Sequence, residues 1–498
     1  MKKVMITLAM MLISASIYGE GKCAEAGGCK DGKGKYIFND GVYEGEFKDS
    51  KLNGHGKYTY SDGRIYDGSW VNSEPSGKAK YTFKNGDIYE GDFVTGKMTG
   101  KGKITFKANG KYEGDFIDGK KSGSGVYTTK EGEVYSGQFL NDLRNGKGKY
   151  SYKDGSIYEG EFSNDKITGK GKITYKNGDA YEGDFVDSQK EGKGKYSYKN
   201  GDVYEGDFKA NNITGKGKFI YKTAAQIYEG DFLEGKQTGF GKLTYKNGDT
   251  YDGQFLNDSK NGKGKYTYKN GDVYEGDYLD NKRIGHGKLA FKSGNTYDGE
   301  FADEKMTGKG KYIFNDGRIY EGDFVDGQWN GRGRYTLKTG DVYEGDFKNG
   351  VQEGKGKYTF KSGDIYEGNF LADQITGHGK LTFKSGNVYD GEFKNGKQNG
   401  AGKLIYKSGD SYECTWIENQ CAGGKGKYTW ADGNVYEGDF KNDIPDGKGT
   451  LTYKSGTVYE GGFKNGKQNG AGKLIYKSGK VAEGNWKDGV KQKVDINF

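Results

Sequence analysis

The chain has 498 residues, including 91 Gly, 42 Tyr and 26 Phe but only two Pro. Aromatic residues at this frequency and at fixed spacing exclude a disordered low-complexity tract, which a mean hydropathy of −0.97 would otherwise favour. The 78 basic and 70 acidic residues are interleaved along the chain, so the uncompensated basic stripe that nucleic acid requires does not arise. We therefore expect no nucleic-acid partner.

The N-terminus has the pattern of a secretory signal peptide. Lys2 and Lys3 precede a short apolar run from Val4 to Ile17, which is too short to span a bilayer. We assign residues 1–19 to this signal and expect an exported chain that resides in the periplasm, on the cell surface or outside the cell. The alternative at this point is a buried N-terminal strand.

Four cysteines form two close pairs in the sequence. Cys23 and Cys29 lie in residues 20–41, which we interpret as an N-terminal cap and a partial repeat, and Cys414 and Cys421 lie in one atypical repeat. In an exported protein such short spacings favour two local disulfides. The separation of the pairs argues against one shared metal site. Attachment of a lipid to Cys23 is left open, although "GEGKC" lacks the apolar and small residues that such signals usually carry.

Residues 42–490 consist of tandem copies of a 23-residue segment, and residues 491–498 form a C-terminal tail. Numbering each repeat from the Tyr of "YEG", position 1 is Tyr in 19 of 20 repeats and position 5 is aromatic in all 20. Two intervals, Tyr204 to Tyr228 and Tyr412 to Tyr436, contain 24 residues instead of 23. Fixed-period self-similarity of this kind predicts a repeat architecture.

Within each repeat the pattern has period two, which predicts β-strands. In "VYEGDF" the Tyr, Gly and Phe lie on one face of the strand and the acidic residues lie on the other. In "GKYTF" the aromatic residues lie on one face and Lys and Thr lie on the other. Antiparallel pairing would place the aromatic residues together and Glu or Asp opposite Lys. We expect tight turns at "KNGD" and "KSGD", between repeats, and a longer connection at "KNGKQNGAG". The predicted fold is all-β, an elongated single-sheet rod of stacked antiparallel β-hairpins.

The repeat "YEGDFKNGVQEGKGKYTFKSG" resembles the MORN (membrane occupation and recognition nexus) repeat, over about residues 32–490. The chain departs from that pattern where Cys414 replaces the position-3 Gly, where Ala482 replaces the Tyr, and in preferring Phe to Trp at position 5. The resemblance implies hairpins stacked into a curved single-sheet rod. It also implies scaffold, lipid-surface or self-association roles.

No residues suggest catalysis. The three histidines, His55, His286 and His378, all occupy position 13, where other repeats carry Lys, Ala or Phe, so they read as interchangeable loop residues. The carboxylates at positions 2 and 4 recur in nearly every repeat and face Lys across the strand, which is typical of a solvated charge lattice. We predict a protein that is not an enzyme and has no catalytic residues, cofactor or metal site.

The aromatic stripe has two interpretations. The rings pack on one another as a core, or they form a groove that binds a partner chain, a glycan or a lipid head group. The candidate aromatic surface consists of Tyr43, Phe47, Tyr89, Phe93, Tyr181, Phe185, Tyr274, Tyr278, Tyr343, Phe347, Tyr436 and Phe440.

The sequence thus predicts a non-catalytic exported repeat scaffold that mediates protein–protein or envelope-surface interactions. A protein partner or self-association is expected, with membrane lipid and glycan as further candidate ligands. The alternative function is an aromatic-groove module that binds membrane lipid or surface polysaccharide.

Overall fold

A computed structural model describes residues 22–24 and 29–493. The predicted signal peptide lies outside the described residues, as do residues 494–498 of the predicted tail. The described residues contain 43 β-strands and no helix, and hence no helix that could cross a membrane. The predicted fold class, all-β with consecutive antiparallel hairpins, is confirmed.

The strands fall into two compact units, and in each unit they form an open antiparallel sheet whose strand order follows the chain. Unit 1 contains β1 (Lys22–Cys23), β2 (Gly32–Phe38), β3 (Gly41–Lys48), β4 (Lys51–Tyr60), β5 (Ile65–Val71), β6 (Glu74–Thr82), β7 (Ile88–Val94), β8 (Lys97–Phe106), β9 (Gly110–Ile117), β10 (Lys120–Thr129), β11 (Val134–Leu140), β12 (Leu143–Ser151), β13 (Ile157–Ser163), β14 (Lys166–Thr174), β15 (Ala180–Val186), β16 (Gln189–Ser197), β17 (Val203–Lys209), β18 (Asn212–Tyr221), β19 (Gln226–Leu233) and β20 (Lys236–Thr244). The residues of β21 (Thr250–Leu256) are divided between the two units.

Unit 2 contains β22 (Ser259–Thr267), β23 (Val273–Leu279), β24 (Lys282–Ala290), β25 (Thr296–Ala302), β26 (Lys305–Ile313), β27 (Ile319–Val325), β28 (Gln328–Thr336), β29 (Val342–Lys348), β30 (Val351–Thr359), β31 (Ile365–Leu371), β32 (Gln374–Thr382), β33 (Val388–Lys394), β34 (Lys397–Ile405), β35 (Ser411–Ile417), β36 (Gln420–Cys421), β37 (Gly424–Thr429), β38 (Val435–Lys441), β39 (Ile444–Thr452), β40 (Val458–Lys464), β41 (Lys467–Ile475), β42 (Val481–Lys487) and β43 (Val490–Lys491).

Strand register follows the charge pattern, as expected from the sequence. Glu205 in β17 lies opposite Lys195 in β16 on one side and Lys218 in β18 on the other. Directly opposed residues on one face of an antiparallel pair are close neighbours, so most position-2 carboxylates lie between two amines, although Glu437 faces Thr450 on one side. A slip of one residue would move these charges onto the aromatic face, which fixes the register.

The expected turn types are exchanged in the structure. The tight turn is the two-residue one within each repeat, such as Asn141–Asp142, where both residues have positive φ (51° and 71°) as in a type I′ turn. The connection between repeats is wider: Phe360 N–H donates to the Asp364 carbonyl, and Gly363 takes φ 98°. Asn-Gly dipeptides occur in both connections, so the dipeptide alone does not identify the shorter turn.

The remainder of the expected long connection belongs to the second strand of each repeat. That strand begins directly after the tight turn and contains a bulge near the position-12 Gly, such as Gly215 with φ 61°. The prolines, Pro75 and Pro445, lie at position 10 near the start of such strands. Each carbonyl still accepts from the N–H of a Gly in the next repeat, Gly96 at 3.0 Å and Gly466 at 2.9 Å.

The core is a ladder of aromatic rings on one face of the sheet. Tyr204 packs edge-to-face on Phe208 of its own repeat and on Phe232 of the next, with ring centroids 5.3 and 5.2 Å apart. Its hydroxyl donates to the Asp207 carbonyl at 3.1 Å. Such pairs add about 0.5–1.5 kcal/mol to the burial of each ring.

The paired glycines at positions 3 and 14 leave the space that this tyrosine ring occupies. A Cβ on Gly206 would lie 2.3 Å from the Tyr204 hydroxyl oxygen and 2.6 Å from the Cα of Gly217. The ring therefore lies directly on the backbone of two strands, which only glycine permits at position 3.

Side chains at position 10 cover the same tyrosine from outside. The Arg144 guanidinium lies 5.7 Å from the Tyr135 ring centre and 5.4 Å from that of Phe162, and its Nε donates to Asp165 at 3.0 Å. In another repeat the Trp329 ring stacks on Tyr320 at 4.3 Å. A long side chain at position 10, whether charged or aromatic, thus covers the outer side of the aromatic core.

Candidate functional site: a charged groove

The face opposite the aromatic core carries rows of paired charges. Lys195 and Lys193 in β16 reach Glu205 and Asp207 in β17, with nitrogen–oxygen distances of 2.7 and 2.5 Å. The pattern recurs in β14 and β15, where Lys170 contacts Asp184 at 2.5 Å. Because these side chains are exposed, each pair contributes only about 0–1 kcal/mol to stability. Their regular repetition gives this face a defined chemical pattern.

The pairing perturbs the titration of the acids. A hydrogen bond from Lys193 lowers the pKa of Asp207, and one from Lys149 lowers the pKa of Glu159. The bases respond in the opposite direction: the hydrogen bond to Glu205 raises the pKa of Lys195. Asp207, Glu159 and Lys195 are therefore held in their ionised forms by their partners.

The charged face lines grooves within each unit. In unit 2 a groove of about 1380 Å³ runs from His286 to His378, and in unit 1 a groove of about 930 Å³ runs from Glu159 to Lys218. A smaller groove of about 580 Å³ contains His55. Paired glycines, such as Gly310 with Gly322, form the floor, and the charges at positions 2, 4, 13 and 15 form the walls.

All three histidines lie in these grooves. Each Nε2 lies close to the position-2 aspartate of the next repeat: His55 to Asp67 at 3.3 Å, His286 to Asp298 at 3.0 Å and His378 to Asp390 at 3.3 Å. Each histidine substitutes for the Lys of other repeats, and its partner is the shorter Asp in place of Glu. They are members of the charge lattice and lie in separate repeats.

The candidate aromatic surface is not a surface. All twelve of its residues are buried, with exposed fractions from 0% for Tyr43 to 6% for Phe47. The correction has a physical cause: edge-to-face packing along the ladder and the position-10 side chains cover the rings. Burial also raises the pKa of these tyrosines, as for Tyr436, to about 12.

The four cysteines lie in the pairs expected from their spacing. The structure joins Cys23 to Cys29 and Cys414 to Cys421 in disulfides, each with Cα atoms 6.1 Å apart. A Cβ at position 3 occupies the usual seat of the tyrosine hydroxyl. Accordingly, the Tyr412 hydroxyl contacts the Cys421 sulfur at 3.1 Å, whereas Tyr436 donates to a backbone carbonyl.

The charge lattice was predictable from the sequence, in which it indicates a solvated face and not a binding groove. The missed feature is that this face curves into grooves, because the twist of a sheet is not encoded in any single repeat. Among the described residues, no group of three or more His, Cys, Asp or Glu side chains is arranged to hold a metal ion.

Comparison with protein families gives one consistent match. The family model described as "MORN repeat" matches residues 28–42, 43–63, 66–88, 89–111, 112–134, 135–157, 158–180, 181–203, 204–223, 228–250, 251–273, 274–296, 297–317, 320–342, 343–365, 366–388, 389–411, 422–435, 436–458 and 459–481. The match omits residues 412–421, which include both cysteines of the atypical repeat. No curated protein matches the chain.

Solved structures show only remote likeness. The SAS-4 TCP domain of Drosophila melanogaster, in complex with a proline-rich motif of Ana2, is 18% identical with a TM-score of 0.18, covering 37% of this chain and 89% of that one. The TCP10 domain of Danio rerio CPAP is 13% identical with a TM-score of 0.13, covering 54% and 99%. A streptogramin B lyase is 16% identical with a TM-score of 0.09, covering 68% and 91%. Likeness at these scores carries no functional argument.

Proposed function

Because the chain belongs to the MORN repeat family, we propose that it is a non-catalytic, exported repeat scaffold that docks other proteins along its charged grooves. One observation carries the proposal: the aromatic face is closed on itself, while the opposite face presents a regular pattern of ionised groups along grooves. Complementary charges on a partner would add specificity and speed of association more than affinity per contact. Many weak, regularly spaced contacts would together give firm binding.

A non-catalytic role is supported by how the polar groups are arranged. Lys, Glu and Asp in the grooves are paired with one another in nearly identical fashion from repeat to repeat, as Lys263 with Asp277 and Lys309 with Asp323. A catalytic site instead requires a few groups whose surroundings differ from the rest of the molecule. The tyrosines with strongly raised pKa owe the shift to burial in the core.

The test compares partners captured by the tagged chain from its native envelope after chemical cross-linking. Reversing the charges of Lys170, Lys193 and Lys216 to Glu should remove most captured proteins, because these amines wall the unit 1 groove. The matched control exchanges each Lys with its partner acid, which keeps the net charge and the pairing. We expect that control to fold and also to lose partners, because the pattern is inverted.

Removal of whole interior repeats separates a scaffold from a discrete site. Capture should fall gradually as repeats are deleted, because binding is distributed over them. If one repeat abolished all capture while the chain still folded, or if charge reversal left capture unchanged, the proposal would be overturned. Saturable binding to liposomes or polysaccharide, insensitive to charge reversal, would support the lipid or glycan alternative instead.

A further inference from the structure

The regular pairing of the unit 2 groove is broken at one position. Lys355 at position 13 of β30 lies directly opposite Asn369 in β31, where the repeats that precede it place an acid. Lys309 and Arg332, at the same position, contact Asp323 at 2.5 Å and Asp346 at 3.5 Å. Lys355 is exposed and has no ion-pair partner among residues 29–493.

The Asn369 side chain does not replace the missing carboxylate. Its amide nitrogen donates to the His378 carbonyl at 3.2 Å, so the side chain is engaged with its own hairpin. In other repeats an Asp at this position makes two contacts. Asp207, for example, accepts from the Lys216 N–H of its own hairpin at 3.0 Å and also binds Lys193, the lysine that faces it. The change to Asn therefore keeps a side-chain hydrogen bond to the position-13 residue of the hairpin, now donated to its carbonyl and not accepted from its N–H, and releases the amine.

The released amine stands within a cluster of other cations. Arg332 and Arg334 lie in β28, two strands or about 10 Å away, and Lys357 lies in β30; Glu344, Asp346 and Glu367 are the interleaved acids. Four cations thus face three acids. Lys448 also lies opposite a non-acidic residue, Gly462, but its strand carries Thr450 where Lys357 stands here, so no such cluster forms.

We propose that Lys355, with Arg332 and Arg334, forms a subsite that binds a carboxylate side chain of an extended acidic peptide segment lying in the unit 2 groove. This inference rests on the proposed docking function and adds the class of partner. Arginine forks bind carboxylates with two parallel hydrogen bonds, which favours a carboxylate over a simple point charge.

The shape of the groove favours a peptide over a membrane surface. The lining residues of this subsite include Gly333, Gly345 and Gly356. Their Cβ positions face the core tyrosines, so on the groove side only main chain forms the floor between the charged walls. A flat bilayer cannot enter a groove, whereas a single extended chain can.

The purified chain is tested with a fluorescein-labelled oligoglutamate peptide, followed by anisotropy at low and high salt. Asn369→Asp restores the pairing of the other repeats and should weaken binding about three- to fivefold, the size of one exposed ion pair. Asp323→Asn is the matched opposite change, because it releases Lys309 and should strengthen binding by a similar factor. Circular dichroism and thermal melting should be unchanged in both, since neither side chain is part of the core.

Equal binding by the wild-type chain, Asn369→Asp and Asp323→Asn would overturn the subsite, even if cellular partners still depended on the charged face. Conversely, the proposed function fails if cellular partners ignore charge reversal, whatever the peptide does. Tighter binding to phosphatidylglycerol vesicles than to oligoglutamate, lost in Asn369→Asp, would replace the peptide by a membrane ligand and also overturn the inference.

Discussion

The close packing of the Tyr204 ring against Gly206 gives the most specific structural prediction. In Gly206→Ala the new methyl group would lie within 2.3–2.7 Å of the Tyr204 hydroxyl, the Gly217 Cα and the Lys216 carbonyl oxygen. Two of these three atoms belong to the backbone and cannot turn away. Overpacking of this kind costs about 1–3 kcal/mol, and displacing the hydroxyl from the Asp207 carbonyl adds about 0.5–1.5 kcal/mol. We expect a local loss of about 1.5–4.5 kcal/mol by adding these two costs.

Hydrogen exchange by mass spectrometry measures this loss locally, which suits a repeat protein whose repeats open separately. Amides of β17 and β18 should exchange about 10- to 1,600-fold faster, since each 1.4 kcal/mol is a factor of ten. The matched control is Gly217→Ala, at position 14, where the chain itself carries Ala79 while Tyr66 stays fully buried. We expect its cost to be about 1 kcal/mol or less, because the repeat of Tyr66 accommodates the same methyl group at Ala79 with its tyrosine still buried.

A double-mutant cycle measures how much of this loss is due to the tyrosine ring. In a Tyr204→Ala background the added methyl of Gly206→Ala should cost at least about 1 kcal/mol less, because the ring is gone while the Gly217 Cα and the Lys216 carbonyl oxygen remain. Equal losses in the two single glycine variants, or a full loss in the Tyr204→Ala background, would refute the steric account.

Three further predictions concern coupling between repeats, alkaline pH and the cysteines. Arg144→Met should cost about 1–2 kcal/mol in chemical unfolding because Asp165 loses the guanidinium that binds it. Adding Asp165→Gly recreates the pairing of Met98 with Gly119 in an earlier repeat, where the Gly N–H donates to the Met carbonyl, and should restore much of the loss; strictly additive losses would contradict this. Burial raises the pKa of tyrosines such as Tyr366 to about 12, against about 10 when unfolded. Stability should therefore be intact below pH 10 and lost as the pH rises through 12, so tyrosinate absorbance and loss of circular dichroism should coincide, and titration of an intact fold at pH 10 would be inconsistent with burial. Intact-mass analysis of the chain, purified without reductant, should show Cys414 and Cys421 oxidised, and free thiols at both would contradict the pairing.

Much of the fold can be predicted from the sequence because the same residue pattern recurs in about twenty repeats. The alternation around Glu205 predicts both the strand and its opposition to Lys195, and the structure shows both. The turns could not be assigned because Asn-Gly stands in both connections, as Asn395–Gly396 and Asn247–Gly248. What distinguishes them is the geometry of the flanking strands, since two consecutive residues at positive φ match the twist of a hairpin.

The candidate site was only half predictable. The aromatic residues were correctly placed on one face, but whether a single sheet could cover them depended on position 10, where Arg144 and Trp329 look unrelated in sequence yet cover the tyrosine in the same way. The grooves depend on accumulated twist over many strands. The exception at Asn369 was visible in the sequence, but its meaning required the register that places Lys355 opposite.

The most direct test of the central claim is site-specific photo-cross-linking of the chain in the cells that produce it. A photoreactive phenylalanine analogue replaces Lys172 or Lys195 in the unit 1 groove, and Tyr175 or Tyr198 on the opposite face, where the analogue closely matches the native ring. If the grooves dock partner proteins, the two groove positions will give protein adducts that are absent at the two tyrosine positions. Protein adducts confined to Tyr175 and Tyr198, or no protein adduct at either groove position, would contradict the account.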